Sequence, residues 1–192
     1  MANNASQVIA GRPKVTGGVL CAPLGTALPT DESSTLNPAF KAVGYVGENG
    51  VTKSEKRDSE VKKAWGGDTL MVLQKSTEVT IKLTLAEFLS GIAQSVIYGA
   101  ANVQQTAATS SAGAKMKVLV TGSPAPQNVW VFDMVSGVAN VRVVVPNAQV
   151  TDIGDVTFKD DDIAANEITL TAFPDANGVY VYIYTNDGVK TV

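Results

Sequence analysis

Hydrophobic and polar positions alternate strictly near the middle of the chain. Val79, Ile81, Leu83 and Leu85 are separated by threonine and lysine, a period of two that predicts a strand with one buried face. Further apolar segments predict strands at 14–22, 40–47, 115–121, 129–135, 138–150, 167–173 and 179–185, and one more between residue 68 and the alternating strand. Asn49-Gly50 is a strong hairpin signal because both residues tolerate positive φ, and 174–178 predicts a second turn.

The period changes after residue 85, which predicts one amphipathic helix over 86–98. Thr84 and Glu87 have the spacing of a capping box, and Gly99 suits the position after a helix end. The stripe that would face the sheets consists of Leu85, Phe88, Leu89, Ile92 and Val96.

These elements predict a mainly β fold, an antiparallel β-sandwich or partly open barrel with one flanking α-helix. A length of 192 residues fits a single domain, 1–192. Within it, polar or turn-rich composition predicts a flexible N-terminal arm at 1–14 and long loops at 23–39, 48–67 and 100–114.

The composition excludes several classes of catalytic site. The chain has no histidine and one cysteine, Cys21, so Ser-His-Asp and Cys-His nucleophiles, His-ligated metals and a disulfide scaffold are excluded. Ser59 and Lys62 match a Ser-x-x-Lys spacing, but its companion motifs are missing and chance explains the match. The run 160–162 of three aspartates could help to bind calcium, although a solvated turn explains it better. We predict no enzymatic activity, no cofactor and no metal.

The charge balance bears on partners and compartment. The net charge is −3 and the isoelectric point is about 4.9, which argues against tight binding of nucleic acid. No apolar run approaches the roughly 18 residues of a membrane span, and the first ten residues lack the pattern of a secretory signal. We therefore expect folding in a reducing cytoplasm.

Charged residues of both signs concentrate between residues 53 and 63. Such a run is usually a solvated hairpin or loop, but mixed signs also suit docking against a complementary surface on another copy. The candidate contact residues are Lys53, Glu55, Lys56, Arg57, Asp58, Glu60, Lys62 and Lys63, together with the nearby Trp65. Trp65, beside Gly66-Gly67, could alternatively be a ligand platform or anchor the end of a strand.

Three tyrosines give a competing interpretation. Tyr180, Tyr182 and Tyr184 lie on one face of the last predicted strand. Aromatic stripes can stack on sugars, so a β-sandwich carbohydrate-binding or adhesion module is the alternative function. The tyrosines could equally pack against a neighbouring element of the same chain, which we favour.

An ordered set of short segments resembles the major tail (tail tube) proteins of long-tailed bacteriophages of the siphovirus type. The resemblance is greatest to phages that infect actinobacteria. The resemblance covers roughly residues 12–178, and its segments are 16–19 (TGGV), 22–31 (APLGTALPTD), 44–52 (GYVGENGVT), 64–68 (AWGGD), 81–87 (IKLTLAE), 145–146, 150–151, 155–158 (DVTF) and 168–175 (ITLTAFPD).

The resemblance implies a structural virion protein that works by self-assembly. Members of the family have two antiparallel sheets and a flanking helix, and they form hexameric rings that stack into a tube for DNA ejection. In these rings, strands from neighbouring subunits complete a continuous β-barrel around the channel. The long loop after the second strand, 48–67 here, commonly reaches the adjacent ring. The implied partners are copies of the same chain, other tail proteins at the tube ends and DNA in passage without specific binding; the implied location is the virion tail, assembled in the host cytoplasm.

Overall fold

The computed structural model describes residues 7–15 and 17–189. Within them the strands are β1 (Arg12–Pro13), β2 (Val19–Pro23), β3 (Lys41–Ala42), β4 (Val46–Lys63), β5 (Thr69–Leu85), β6 (Val103–Thr106), β7 (Lys115–Val118), β8 (Gln127–Ser136), β9 (Ala139–Ile153), β10 (Asn166–Ala172) and β11 (Tyr182–Asn186). The helix α1 (Gly91–Tyr98) follows β5, and a short 3-10 helix (Ala100–Asn102) precedes β6. Residues 1–6 of the predicted arm, Thr16 in the first resembling segment and residues 190–192 lie outside the described residues.

Nine of these strands form one antiparallel sheet in the order β3-β2-β8-β9-β10-β5-β4, while β6 and β7 form a separate hairpin. β1 pairs with β8 beyond the end of β2, and β11 pairs with β9 beyond the end of β10. The predicted mainly β class with a flanking helix is confirmed, and the sheet is not closed into a barrel. β3 and β4 are therefore the two ends of the strand order.

The middle of the sheet is buried on both faces. Trp130 and Phe132 of β8 face a large cluster that includes α1 and the alternating residues of β5, with their rings stacked 6.3 Å apart. Val129 and Val131 of the same strand face a second cluster, which is covered by Phe40 and by the connection between β2 and β3. A strand that is buried on both faces needs apolar residues at consecutive positions, which explains the uninterrupted apolar run 129–132.

The predicted long loop 23–39 packs on its own sheet. Leu28, Leu36 and Ala39 lie against the second cluster. The guanidinium of Arg142, on β9, donates hydrogen bonds to the backbone carbonyls of Asp31 (3.0 Å) and Ser34 (2.9 Å). This segment is irregular in conformation, but Leu28, Leu36 and Ala39 and the carbonyls of Asp31 and Ser34 already have partners inside the chain, while Leu24 is exposed.

The helix begins later than predicted. Its N-cap is Ser90, whose Oγ accepts a hydrogen bond from the backbone N–H of Ala93, and Gly99 ends it with φ at +88°. Glu87 forms no capping box; its carboxylate instead accepts a hydrogen bond from the backbone N–H of Tyr45 at 2.9 Å. The later start rotates the buried face, so Leu89 and Ile92 of the predicted stripe are exposed and the buried helical residues are Ala93, Gln94, Val96 and Ile97.

Two other predicted segments differ from the structure. Asn49-Gly50 makes no hairpin turn; Gly50, with φ at +65°, lies in an irregularity of β4 where Val46 pairs with Leu85 and Val51 with Leu83. A positive-φ glycine suits a β-bulge as well as a turn, and the sequence does not distinguish them. In the predicted loop 100–114, only 107–114 is irregular, because the 3-10 helix and β6 occupy 100–106.

Candidate assembly surface

Residues 48–67, predicted as a flexible loop, form most of one arm of a long β-hairpin. β4 pairs with β5 from Val51↔Leu83 to Lys63↔Thr69, and the turn is closed by hydrogen bonds from Ala64 N–H to Asp68 O (2.8 Å) and from Gly67 N–H to Ala64 O (3.0 Å). The prediction of a loop was wrong because β-branched residues in β5 supply a continuous partner strand. The sequence also predicts two separate strands between residues 68 and 85, but β5 (Thr69–Leu85) is one continuous strand.

The outer part of this hairpin projects from the body of the protein. β10 pairs with β5 only from Val79 onward, so 57–77, which we call the distal hairpin, is a two-stranded ribbon in the described part of the chain. At about 3.3 Å per residue, its arms extend roughly 25 Å. An isolated two-stranded ribbon is marginally stable in water, so a ribbon of this length suits a partner that packs against it.

Both faces of the distal hairpin carry exposed apolar side chains. Val61 and Val72 are directly opposite on one face, while Met71 and Leu73 lie on the other, opposite Lys62 and Glu60. These side chains, Leu70 and the fully exposed Trp65 at the tip are all exposed large apolar residues within 61–73. Exposed apolar surface of this kind marks interaction sites.

The charged candidates predicted from the sequence all lie along β4, and some of them pair locally. Glu60 accepts hydrogen bonds from Lys62 (2.6 Å) and Lys75 (3.0 Å), and Glu55 accepts one from Lys53. These lysines lower the pKa of both carboxylates. Within the described residues, the remaining candidates form no ion pair: Lys56, Arg57, Asp58 and Lys63.

β4 is also the open edge of the sheet. Its backbone pairs on one side with β5, and among the described residues no strand pairs with its other side. An edge strand exposes unpaired N–H and C=O groups, which are a template for a strand from another chain. Charges of both signs along this edge limit the partners to those with a complementary pattern.

Sequence reasoning found Trp65 and the charged residues of β4 but missed the other apolar residues of this surface. The run 70–73 (LMVL) has the composition of a buried strand, and sequence alone gives no reason to expect it in solvent. Lys75 was also missed, because its contact with Glu60 (3.0 Å) depends on the pairing of β5 with β4, in which Leu73 is opposite Glu60 and Lys75 lies at the irregularity beside Ser59.

The competing sites are explained by packing. Tyr182 and Tyr184 are half-buried against the second cluster with their rings stacked 6.3 Å apart, and the Tyr182 hydroxyl donates to Asp175 at 2.6 Å. Asp160, Asp161 and Asp162 are exposed, and in 7–15 and 17–189 no group of acidic, histidine or cysteine residues could hold a metal ion. No helix in the described ranges has the length and apolar character needed to cross a membrane.

Cys21 lies on β2, is 5% exposed, and its burial raises the pKa of the thiol to about 12. At pH 8 only about one molecule in 10⁴ then carries the thiolate, which is the reactive form. We expect no reaction with an aromatic disulfide reagent in the folded protein, and one thiol per chain after unfolding in guanidinium. Stoichiometric labelling within minutes under native conditions would contradict the buried position.

An open sheet edge and a projecting, partly apolar hairpin are features of a structural β-protein that associates with other chains. A family model described as "Phage tail tube protein" matches residues 1–191. The chain therefore belongs to the phage tail tube protein family, and its role in a phage tail tube is structural. A search of curated proteins found no match.

Among solved structures, three matches at low sequence identity come from tube assemblies. The cap that terminates the tube of the anti-feeding prophage is 15% identical, with coverage of 97% of this chain and 100% of that one and a TM-score of 0.48. Two chains from an extracellular contractile injection system (PVC), in the sheath–tube complex and the sheath/tube terminator, are each 13% identical. The match to the sheath–tube complex covers 95% of this chain and 98% of that one, with a TM-score of 0.43. The match to the sheath/tube terminator covers 92% of this chain and 99% of that one, with a TM-score of 0.42. Since all three TM-scores are below 0.5, the assignment rests on the family model.

Proposed function

We propose that copies of this chain close into hexameric rings that stack into the tail tube of a siphovirus-type phage, and that DNA leaves the capsid through the channel. The observation that carries this proposal is the open edge of β4 (Val46–Lys63), which continues into the distal hairpin. The edge offers backbone hydrogen bonds to a neighbour, and the distal hairpin offers side chains.

The two ends of the strand order favour ring closure. β4 is long and open, whereas β3, at the other end, has two residues and leaves much of β2 uncovered. Contact between two different surfaces of identical chains is head-to-tail, and such contacts form a closed ring when the rotation between copies closes. A ring formed in this way joins the sheets of neighbouring copies around a common axis.

Stacking of rings requires a second contact along that axis, and the distal hairpin extends far enough to supply it. We assign this contact between copies to the charged residues of β4 and to Trp65. Lys56, Arg57, Asp58 and Lys63, which have no ion pair among the described residues, are available to charges on a neighbour.

The charge balance suits a conduit. The chain carries 18 carboxylate residues and 15 cationic ones. An acidic channel wall would not bind phosphates and would let DNA pass without specific contacts. The remaining partners would be other tail proteins at the tube ends, and assembly would take place in the cytoplasm of the host.

Purified protein, concentrated stepwise and followed by light scattering and negative-stain microscopy, tests the proposal. We expect rings or hollow tubes with a central pore, because both contacts are supplied by the chain itself. A species that stays monomeric at millimolar concentration would contradict self-assembly, and binding of a polysaccharide by that monomer would support the alternative carbohydrate-binding module.

A further inference from the structure

A second apolar surface lies on the body of the protein, outside β4 and the distal hairpin. α1, the β6–β7 hairpin and the segment 154–165 enclose an open groove of about 900 Å³. Its apolar lining includes Phe88, Leu89, Tyr98, Met116, Val120 and Phe158. Leu89 is 87% exposed and Phe158 is 71% exposed, although Phe158 packs edge-to-face on Phe88 at 5.5 Å. The groove therefore leaves large apolar side chains in water.

A polar group in the groove also lacks a partner. Asn166, at the start of β10, lines the groove and is 1% exposed, and its Nδ2 has no hydrogen-bond acceptor within the described residues. Buried polar groups are almost always hydrogen-bonded in native proteins. Since Nδ2 itself is buried, an occupant's backbone carbonyl would satisfy this donor once the Asn166 amide turns toward the groove.

The segment 155–162 forms an acidic rim beside the groove, whose lining itself holds one charged residue, Lys115, and the tip of the distal hairpin carries two lysines. The segment 155–162, which contributes Phe158 to the groove, carries four aspartates and one lysine. Lys62 and Lys63 immediately precede the hairpin turn that holds Trp65, and Asp68 follows it. Lys62 also pairs with Glu60 at 2.6 Å, whereas Lys63 has no ion pair among the described residues. The two surfaces are therefore both apolar, and the aspartates of 155–162 offer partners to the lysines of the tip, above all to Lys63, which favours the encounter of one surface with the other.

We propose that this groove receives the tip of the distal hairpin of a second copy, with Trp65 between Leu89 and Phe158 and with Lys62 and Lys63 beside the acidic rim. The inference rests on the proposed self-assembly and specifies its partner surface. A groove of this volume is in the range that encloses a drug-sized molecule, so it accommodates an indole ring with adjacent side chains. Tryptophan is also among the residues that contribute most to binding at interfaces.

The proposed contact joins two different surfaces of the same chain. Each copy then offers one distal hairpin and one groove, so the contact repeats from copy to copy instead of ending at a dimer. This is the property that a subunit of a stacked tube requires.

Disulfide trapping between two variants tests the contact directly. In a Cys21→Ser background, Trp65→Cys protein and Leu89→Cys protein are purified separately, mixed, assembled and oxidised. Because each variant has one thiol, a heterodimer can form only between copies. In an equal mixture a Trp65→Cys chain meets a Leu89→Cys chain at half of its contacts, so we expect up to about half of the assembled protein to cross-link. Trp65→Cys mixed with Val138→Cys, an exposed control on the β8–β9 turn, should remain uncross-linked.

The outcomes separate this inference from the proposed function. Tubes that form normally without the Trp65–Leu89 heterodimer would overturn the docking site and leave the proposed function intact. Parent protein that forms no assembly would overturn both.

A charge exchange provides a second readout that does not depend on cysteine. Lys62→Glu with Lys63→Glu should raise the concentration needed for assembly by about tenfold or more, since like charges would meet at the rim. Combining this pair with Asp160→Lys and Asp161→Lys should restore assembly toward the parent concentration. A combined variant that assembles no better than the lysine-to-glutamate variant alone would argue against the contact.

Discussion

Removal of the distal hairpin should abolish tube formation and leave a folded monomer. Lys56 and Glu78 are directly opposite in the β4–β5 ladder, so residues 57–77 can be replaced by Asn-Gly, which closes a two-residue hairpin. The excised segment has no other strand partner among the described residues, and both clusters of the core lie outside it. Circular dichroism and thermal unfolding should therefore stay close to those of the parent, while light scattering and microscopy show no tubes.

A point variant controls for changes in solubility. Val138→Ser removes an exposed apolar side chain outside the distal hairpin and should assemble as the parent does. Tubes of normal length from the excised protein would refute the role of the hairpin, and loss of folded structure would show that the ribbon is part of the stable body.

Replacement of Arg142 should cause the largest loss of stability among single substitutions of the buried polar and charged residues. Arg142 (3% exposed) and Asp133 (4% exposed) form a two-bonded pair, with distances of 2.6 Å from Nε and 2.8 Å from the second guanidinium nitrogen. Hydrogen bonding to Asp133 raises the pKa of Arg142 above its ordinary value, so the guanidinium stays charged. Arg142→Met leaves a buried carboxylate without its partner and should lower the free energy of unfolding by about 3–5 kcal/mol.

The double variant and a neighbouring lysine make this prediction specific. Arg142→Met with Asp133→Leu should recover much of the loss, because no buried charge remains. Lys14, whose Nζ is 3.9 Å from Asp133, should cost about 1 kcal/mol or less when changed to methionine. Denaturant unfolding of the four proteins measures all three effects, and an Arg142→Met protein within about 1 kcal/mol of the parent would contradict the account.

Much of the fold could be predicted from local patterns. The alternation at Val79, Ile81, Leu83 and Leu85 gave the buried face of β5 correctly, because one face of that strand packs on the core. The turn before β11 was also predicted, and in the structure Asp175 N–H bonds to Val179 O at 3.0 Å. Where one face of a strand is buried and the other is in water, apolar residues occupy the buried positions and polar residues the exposed ones, so the sequence pattern predicts the strand and its buried face.

The differences arise where the partner of a segment is distant in sequence. Glu87 has the spacing of a cap, but its carboxylate accepts a hydrogen bond from the backbone N–H of Tyr45 instead. The β4–β5 pairing brings Tyr45 close to it. Asn49-Gly50 has the composition of a turn, but β5 extends the ladder past it. The first arm and the turn of the distal hairpin, 57–67, were predicted as part of a loop because their charges resemble those of a solvated segment. Only the register of β5 shows that these charges lie on a ribbon.

Hydrogen–deuterium exchange of β4 in the monomer and in the assembled state tests the central claim most directly. If another copy completes the open edge, amides in Val46–Lys63 that point away from β5 should exchange at least about tenfold more slowly after assembly, since opening would then require dissociation of the neighbour. Assemblies in which β4 exchanges as fast as in the monomer, with protection confined to other segments, would contradict the claim that this edge joins the subunits.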